Sequence, residues 1–162
     1  MKRQHKQKIL AALAAFYFLF LSAGIAQGGM SAPDFSLRDL KQRIVSLGDY
    51  RAKKPVILFF WATWCPFCRK EIKNLNENYS RLAGDGVVIL AVNIGERPDK
   101  VNKFIKNSLL LYPVLLDLDT NVASSYGVRG IPTYVFIDKK GEIIYSDHSF
   151  SDQQYKTLLG SK

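Results

Sequence analysis

Two cysteines, Cys65 and Cys68, are the residues whose type and spacing point most directly to chemistry. They are the only cysteines among 162 residues, and two residues separate them. A disulfide between them closes so short a loop that it adds little stability through chain entropy. The pair is therefore better explained by reversible thiol–disulfide exchange than by a structural cross-link.

The flanking residues place this pair where a buried strand passes into a helix. Residues 56–61 (VILFFW) form an unbroken apolar run, which is typical of a strand buried on both faces of a sheet. A helix is predicted from about Pro66 to Leu82, because apolar side chains recur there every three or four residues. That apolar stripe contains Cys68, Ile72, Leu75, Tyr79 and Leu82.

A thiol at the start of a helix is chemically favoured as a nucleophile. Unpaired backbone N–H groups and the positive end of the helix dipole stabilise its thiolate, and Pro66 suits the first turn because its missing N–H has no partner there. Cys65 is therefore predicted to be the more exposed, attacking sulfur, and Cys68 the buried resolving thiol. Two alternatives remain: a redox-silent disulfide, or a zinc site that would have only the cysteines and the distant His148 as ligands.

The rest of the chain alternates strands and helices. A small leading hairpin is predicted at 35–37 and 44–47, strands at 56–61, 87–94, 112–116, 134–137 and 142–145, and helices at 66–82, from 98, at 120–126 and from 151. After the hairpin the order is βαβαβαββα. This order predicts one α/β domain over residues 31–162, built on a mixed sheet.

The N-terminal segment has the pattern of a targeting signal. Basic residues between positions 2 and 8 precede an apolar run at 9–26, and residues 1–26 contain no Asp or Glu. The pattern predicts a secretory signal peptide, or an uncleaved membrane anchor formed by the same run. Either alternative places the rest of the chain in the periplasm or on the outer face of the cytoplasmic membrane.

The net charge of +9 raises the question of nucleic-acid binding. Four of the basic residues belong to the targeting segment, and the others are scattered without a basic stripe interleaved with aromatic residues. This distribution predicts an ordinary solvated surface and no nucleic-acid partner. We expect the protein to be a monomer.

The motifs of this chain resemble those of the TlpA/ResA-like thioredoxins, a membrane-associated group that includes reductases of cytochrome c maturation. The matching segments are 61–71 (WATWCPFCRKE), 130–133 (GIPT), 32–35 (APDF) and 91–96 (AVNIGE). The resemblance covers nearly all of residues 31–162. It implies a thioredoxin-like fold, with a central mixed β-sheet flanked by helices and an extra N-terminal β-hairpin.

The resemblance also implies a substrate-binding surface around the cysteines. Pro132 would follow a cis peptide bond beside the active site, and the backbone of Ile131 would pair with an extended substrate segment. Trp64 would cover the thiol, unless it is only a core residue. Pro66 and Phe67, between the cysteines, complete this predicted surface.

Glu71 resembles a carboxylate that the family keeps near the buried thiol, one helical turn after Cys68. By this resemblance it would relay a proton to or from Cys68; the alternative is an ordinary surface glutamate. Ordinary thioredoxins carry an acidic residue six positions before the first cysteine, where this chain has Phe59, which favours a different proton route. Glu96 also matches the family and is interpreted as a loop residue.

The sequence thus predicts an extracytoplasmic thiol–disulfide oxidoreductase that reduces exported proteins, with apocytochrome c as the most specific expectation. A membrane thiol donor would recharge it, and the redox-active disulfide Cys65–Cys68 would need no dissociable cofactor. The nearest alternative is a disulfide-forming oxidase or isomerase of the same fold. Less favoured are a non-enzymatic binding or chaperone module and a peroxiredoxin-type peroxidase, which would place Thr where this chain has Ala62.

Overall fold

An eight-stranded mixed sheet organises residues 29–160, the part of the chain that the computed structural model describes. Its strands are β1 (Met30–Ser31), β2 (Ser36–Asp39), β3 (Ile44–Ser46), β4 (Val56–Trp61), β5 (Val88–Ile94), β6 (Val114–Asp117), β7 (Thr133–Ile137) and β8 (Glu142–Asp147). They lie in the order β1-β8-β7-β4-β5-β6-β2-β3. The central strands β4, β5 and β6 are parallel, and every other neighbouring pair is antiparallel.

Helices cover both faces of this sheet. They are α1 (Pro66–Gly84), α2 (Pro98–Asn107), α3 (Asn121–Ser125) and α4 (Asp152–Gly160), and a 3-10 turn at Leu47–Asp49 follows β3. One buried apolar cluster joins one face of the sheet to α1, α2 and α4. A second cluster joins the opposite face to α3 and to the segment that contains Ala32 and Phe35. The central strand β4, whose six residues are all buried, contributes to both clusters.

This architecture confirms the predicted α/β class and the order of elements after the leading hairpin. The hairpin is β2–β3, and β2 also pairs with β6. Strand β6 begins at Val114, two positions later than predicted, since Pro113 has no N–H to donate to a neighbouring strand. The short edge strand β1, which pairs with β8, was not predicted.

The predicted signal peptide or anchor at residues 1–26 lies outside the described residues. Within residues 29–160, no helix combines the length and the apolar character that a bilayer crossing requires.

Candidate active site

The junction of β4 and α1 carries the two cysteines, as the sequence predicts. Cys65 is the N-cap of α1, with an extended backbone (φ −82°, ψ 112°), and Pro66 occupies the first turn. The strand before it is buried, and Cys68 and Leu75 anchor the inner face of the helix. The CxxC segment is therefore held between two packed elements.

Cys65 and Cys68 form a disulfide, with their Cα atoms 5.3 Å apart. The backbone N–H of Cys68 donates a hydrogen bond to Cys65 Sγ at 3.1 Å. The sulfur of Cys65 thus faces the N-terminus of the helix, where a thiolate is stabilised. Both cysteines are buried in this oxidised state, and their order is the predicted one, because Cys65 is 2% exposed and Cys68 is fully buried.

The segment at the start of β7 lies against the sulfur of Cys65. The carbonyl oxygen of Ile131 is 3.7 Å from Cys65 Sγ, and the peptide bond between Ile131 and Pro132 is cis, as predicted. Nearby, Trp64 is 63% exposed and Phe67 is 71% exposed. Trp64 and Ile131 line a largely apolar cavity of about 380 Å³. The alternative interpretation of Trp64 as a core residue is therefore wrong.

His148 contacts the segment that contains Pro132. Its Nδ1 atom lies 2.8 Å from the carbonyl oxygen of Pro132. A carbonyl only accepts, so Nδ1 carries the proton in this contact. The hydroxyl of Thr133 donates to the carbonyl of Gly130 at 2.7 Å and ties down the other end of the segment. Among residues 29–160, no group of three His, Cys, Asp or Glu side chains is close enough to hold a metal ion.

Glu71 is half-buried and hydrogen-bonded, which excludes the alternative of an ordinary solvated surface glutamate. Its Oε2 atom accepts from the hydroxyl of Tyr134 at 2.9 Å, from the backbone N–H of Phe150 at 3.3 Å and from Asn74 Nδ2 at 3.5 Å. The carboxylate therefore joins α1 to β7 and to the segment after β8. Its role in proton exchange with Cys68 stays a prediction.

Glu96 lies in the loop after β5, as the sequence interpretation has it, but its contacts were not predicted. It is buried, and it accepts from the backbone N–H and the hydroxyl of Thr63, both at 2.7 Å. Asn93 Nδ2 donates to Glu96 Oε2 at 2.9 Å, and Lys100 Nζ lies 2.7 Å from Glu96 Oε1. The turn at Gly95 has φ +65°, which favours glycine and directs the chain back beneath the active-site loop.

The electrostatics of Glu96 follow from these contacts. Burial acts to raise its pKa, but the hydrogen bonds from Lys100, Thr63 and Asn93 outweigh burial and lower it. The carbonyl of the same Thr63 accepts from Arg69 Nη2 at 3.2 Å. The backbone of Thr63, two residues before Cys65, is thus bound by two charged side chains, those of Glu96 and Arg69. The segment AVNIGE, which contains Asn93 and Glu96, was the sequence signal that could have revealed this contact.

Comparisons with known proteins agree with this geometry. The model of the AhpC/TSA family matches residues 29–146. The thiol-disulfide oxidoreductase ResA of Geobacillus thermodenitrificans is 44% identical over 71% of this chain and 66% of its own length. The ResA of Halalkalibacterium halodurans is 34% identical over 77% of this chain and 70% of its own length.

A solved structure shares the fold as well. The thioredoxin domain of a thiol-disulfide oxidoreductase from Bacteroides vulgatus superposes with a TM-score of 0.72 at 29% identity, covering 82% of this chain and 96% of that one. This likeness confirms the thioredoxin-like fold. The chain spans slightly less than two thirds of the length of the Geobacillus relative. On these matches and the CxxC geometry, the chain belongs to the AhpC/TSA family and, within it, to the ResA-like thiol-disulfide oxidoreductases.

Proposed function

We propose that this protein is an extracytoplasmic thiol–disulfide oxidoreductase that reduces disulfides of exported proteins through Cys65 and Cys68. The observation that carries the proposal is the position of the disulfide at the N-terminus of α1, where the N–H of Cys68 donates to Cys65 Sγ at 3.1 Å. Donors at that position stabilise the Cys65 thiolate. A stabilised thiolate is both a populated nucleophile and a good leaving group, which reversible exchange requires.

The reaction proceeds through a mixed disulfide. The Cys65 thiolate attacks one sulfur of the substrate disulfide, a new S–S bond forms, and the other substrate sulfur leaves as a thiolate. The Cys68 thiol then loses its proton to Glu71 and attacks Cys65 Sγ, which breaks the mixed disulfide and releases the second substrate thiolate. Two electrons pass from the protein dithiol to the substrate, and Cys65 and Cys68 end as a disulfide.

The surface around the disulfide suits an extended polypeptide substrate. Trp64 and Phe67 are largely exposed beside it, and Ile131 and Pro132 form its other side. A substrate strand would pair with the backbone of Ile131, while its side chains contact Pro66 and the two aromatic rings. Apocytochrome c, whose paired cysteines must be reduced before haem attachment, is the substrate we propose.

The cellular arrangement follows from the N-terminal sequence. Residues 1–26 would export the domain as a signal peptide, or hold it at the membrane through residues 9–26. A membrane thiol protein would return two electrons to the Cys65–Cys68 disulfide after each turnover. The reaction needs no dissociable cofactor, since the disulfide itself carries the electrons.

The reduction potential of the full-length chain, equilibrated against glutathione, tests the direction of the reaction. We expect a value near that of thioredoxin, about −270 mV, because a reductase must transfer electrons to substrate disulfides. A value near that of the strongly oxidising periplasmic donors, about −120 mV, would contradict the proposal and favour a disulfide-forming oxidase.

Two matched variants test the assignment of the cysteines. Cys68→Ser removes the resolving thiol, so we expect it to accumulate a covalent mixed disulfide with a peptide that contains a disulfide, detected by mass spectrometry. Cys65→Ser removes the nucleophile and is expected to form none. Equal trapping by both variants would contradict the division of roles between the cysteines.

A further inference from the structure

A buried tyrosine on β7 contacts the carboxylate beside the resolving cysteine. Tyr134 is fully buried, and its ring stacks on Phe59 of β4 with centroids 4.9 Å apart. Its hydroxyl donates to Glu71 Oε2 at 2.9 Å. The stacked ring fixes the position of the hydroxyl, and the hydroxyl in turn fixes one oxygen of a side chain that would otherwise sample several rotamers.

The two carboxylate oxygens of Glu71 differ in their hydrogen bonding. The donors from Tyr134, Phe150 and Asn74 all end on Oε2, and Tyr134 makes the shortest of the three contacts. Oε1 is then the oxygen available for exchange with Cys68, which lies three residues before Glu71 on the same helix. A carboxylate held by one oxygen presents the other in a constant direction.

We infer that Tyr134 is a positioning residue for the resolving step: its hydroxyl holds Glu71 so that Oε1 can take the proton of Cys68. This inference rests on the proposed function. The proton passes from Cys68 Sγ to Glu71 Oε1, the resulting thiolate attacks Cys65, and the proton then leaves to solvent or to the released substrate thiolate. Tyr134 keeps its own proton throughout and exchanges no electrons.

The surroundings suit this role for the hydroxyl. Burial first, and then the negative charge of Glu71, raise the pKa of Tyr134, so the hydroxyl remains a donor over the physiological range. Tyr112, which faces Tyr134 from the segment before β6, raises that pKa further. From the end of β8, His148 binds the carbonyl of Pro132. The titratable groups beside the pair are thus Tyr112, which acts on Tyr134, and Cys68, which precedes Glu71 by one helical turn.

The test separates the two steps of exchange in one reaction. Reduced full-length protein is mixed with dithionitrobenzoate, an aromatic disulfide that releases one coloured thiolate when Cys65 attacks it and a second when Cys68 resolves the mixed disulfide. Both rates are measured against pH for the wild type, Tyr134→Phe, Glu71→Gln and the double variant. Tyr112→Phe is the matched control, because Tyr112 is also a buried tyrosine but its hydroxyl has no hydrogen-bond partner among the described residues.

We expect Tyr134→Phe to leave the first phase unchanged and to slow the second phase about tenfold, with a shifted pH profile, as the loss of one hydrogen bond to a charged group predicts. The double variant should be no slower than Glu71→Gln alone. A second phase in Tyr134→Phe equal to that in Tyr112→Phe, or additive losses in the double variant, would overturn the inference. Absence of a first phase in the wild type would instead overturn the proposed function, and the inference with it.

Discussion

Two glutamates border the CxxC segment in sequence or in space, and their carboxylates are bound differently. Glu96 is buried and uses both carboxylate oxygens, with Thr63, Asn93 and Lys100 as partners. Glu71 is half-buried, and its three hydrogen bonds end on a single oxygen. A carboxylate that accepts hydrogen bonds on both oxygens is suited to fixing the backbone. One that accepts them on a single oxygen can exchange a proton through the other. This difference supports the proposal that Glu96 fixes the backbone and Glu71 exchanges a proton.

The two glutamates also reach the site by different routes. Glu71 is three residues from Cys68 on one helix, so its placement is local. Glu96 lies 33 residues from its partner Thr63 and depends on the parallel pairing of β4 with β5. Because Trp61 is opposite Asn93 in that register, the ends of both strands bring Thr63 and Glu96 together. The position of Glu96 is thus set by sheet register and that of Glu71 by helical spacing.

The largest expected effect on stability comes from removing Glu96. Glu96→Ala should lower the free energy of unfolding by about 3 kcal/mol, because it leaves buried donors of Thr63 and Asn93 without an acceptor. Glu71→Ala should cost less, about 1 kcal/mol, because Glu71 is itself half-buried and water can enter the space it leaves to bind the hydroxyl of Tyr134. Urea denaturation of both variants measures the difference.

Glu77→Ala is the matched control for both of these variants. Glu77 lies on the same helix as Glu71 and forms an exposed pair with Lys73 at 3.9 Å, so its removal should cost less than about 0.5 kcal/mol. Equal losses for Glu96→Ala and Glu71→Ala would contradict the expected difference in how much the two carboxylates stabilise the fold.

A smaller effect is expected from acidification. The folded pKa of Glu96 is lowered, so this residue contributes stability that is present above its ordinary pKa of 4.5 and is lost as the pH falls through its folded value. Glu96→Gln lacks the titration, and the stability gap between wild type and variant should therefore narrow below that pH. Denaturation midpoints taken along an acid series measure the gap.

Thr63→Val sharpens this pH prediction. The substitution removes the hydroxyl donor but keeps the backbone donor to Glu96, so the pKa of Glu96 should be lowered less. The pH range between its ordinary and its folded pKa, over which the stability is lost, should then be narrower. A gap between wild type and Glu96→Gln that stays constant into strong acid would show that hydrogen bonding by the carboxylate, and not its charge, is what matters.

The sequence predicted the local elements of this fold but not the contacts between distant residues. Elements that depend on neighbouring residues were predictable, because an apolar run or a proline determines the local backbone within a few residues. They include the strand 56–61 and the starts of α1 at Pro66 and α2 at Pro98. The roles of Glu96 and Tyr134 were not predicted. Their partners lie 33 and 63 residues away in sequence, so only the tertiary pairing of strands and helices reveals them.

Loss of the hydrogen bond from Arg69 to the carbonyl of Thr63 should have a smaller effect than loss of Glu96. Arg69→Met removes the hydrogen bond from Nη2 to the carbonyl of Thr63, together with the guanidinium that lies 5.9 Å from the centre of the Phe104 ring. We expect a loss of about 1 kcal/mol in the free energy of unfolding, measured by urea denaturation. A loss as large as that of Glu96→Ala would mean that the carbonyl of Thr63, rather than its two donors, is the main point of attachment.

The smallest expected effect concerns the charge partner of Glu96. Lys100 is 56% exposed, so its ion pair at 2.7 Å is screened by water, and Lys100→Met should lower the free energy of unfolding by less than about 1 kcal/mol. The donors from Thr63 and Asn93 stay in place in this variant, and they are buried, so they should keep the carboxylate ionised and the loop before Cys65 fixed. A loss equal to that of Glu96→Ala would reverse this order and make charge compensation by Lys100 the dominant stabilising contact. Denaturation of the two variants side by side, at low and at high salt, decides between them, because only the contribution of the ion pair should fall as salt rises.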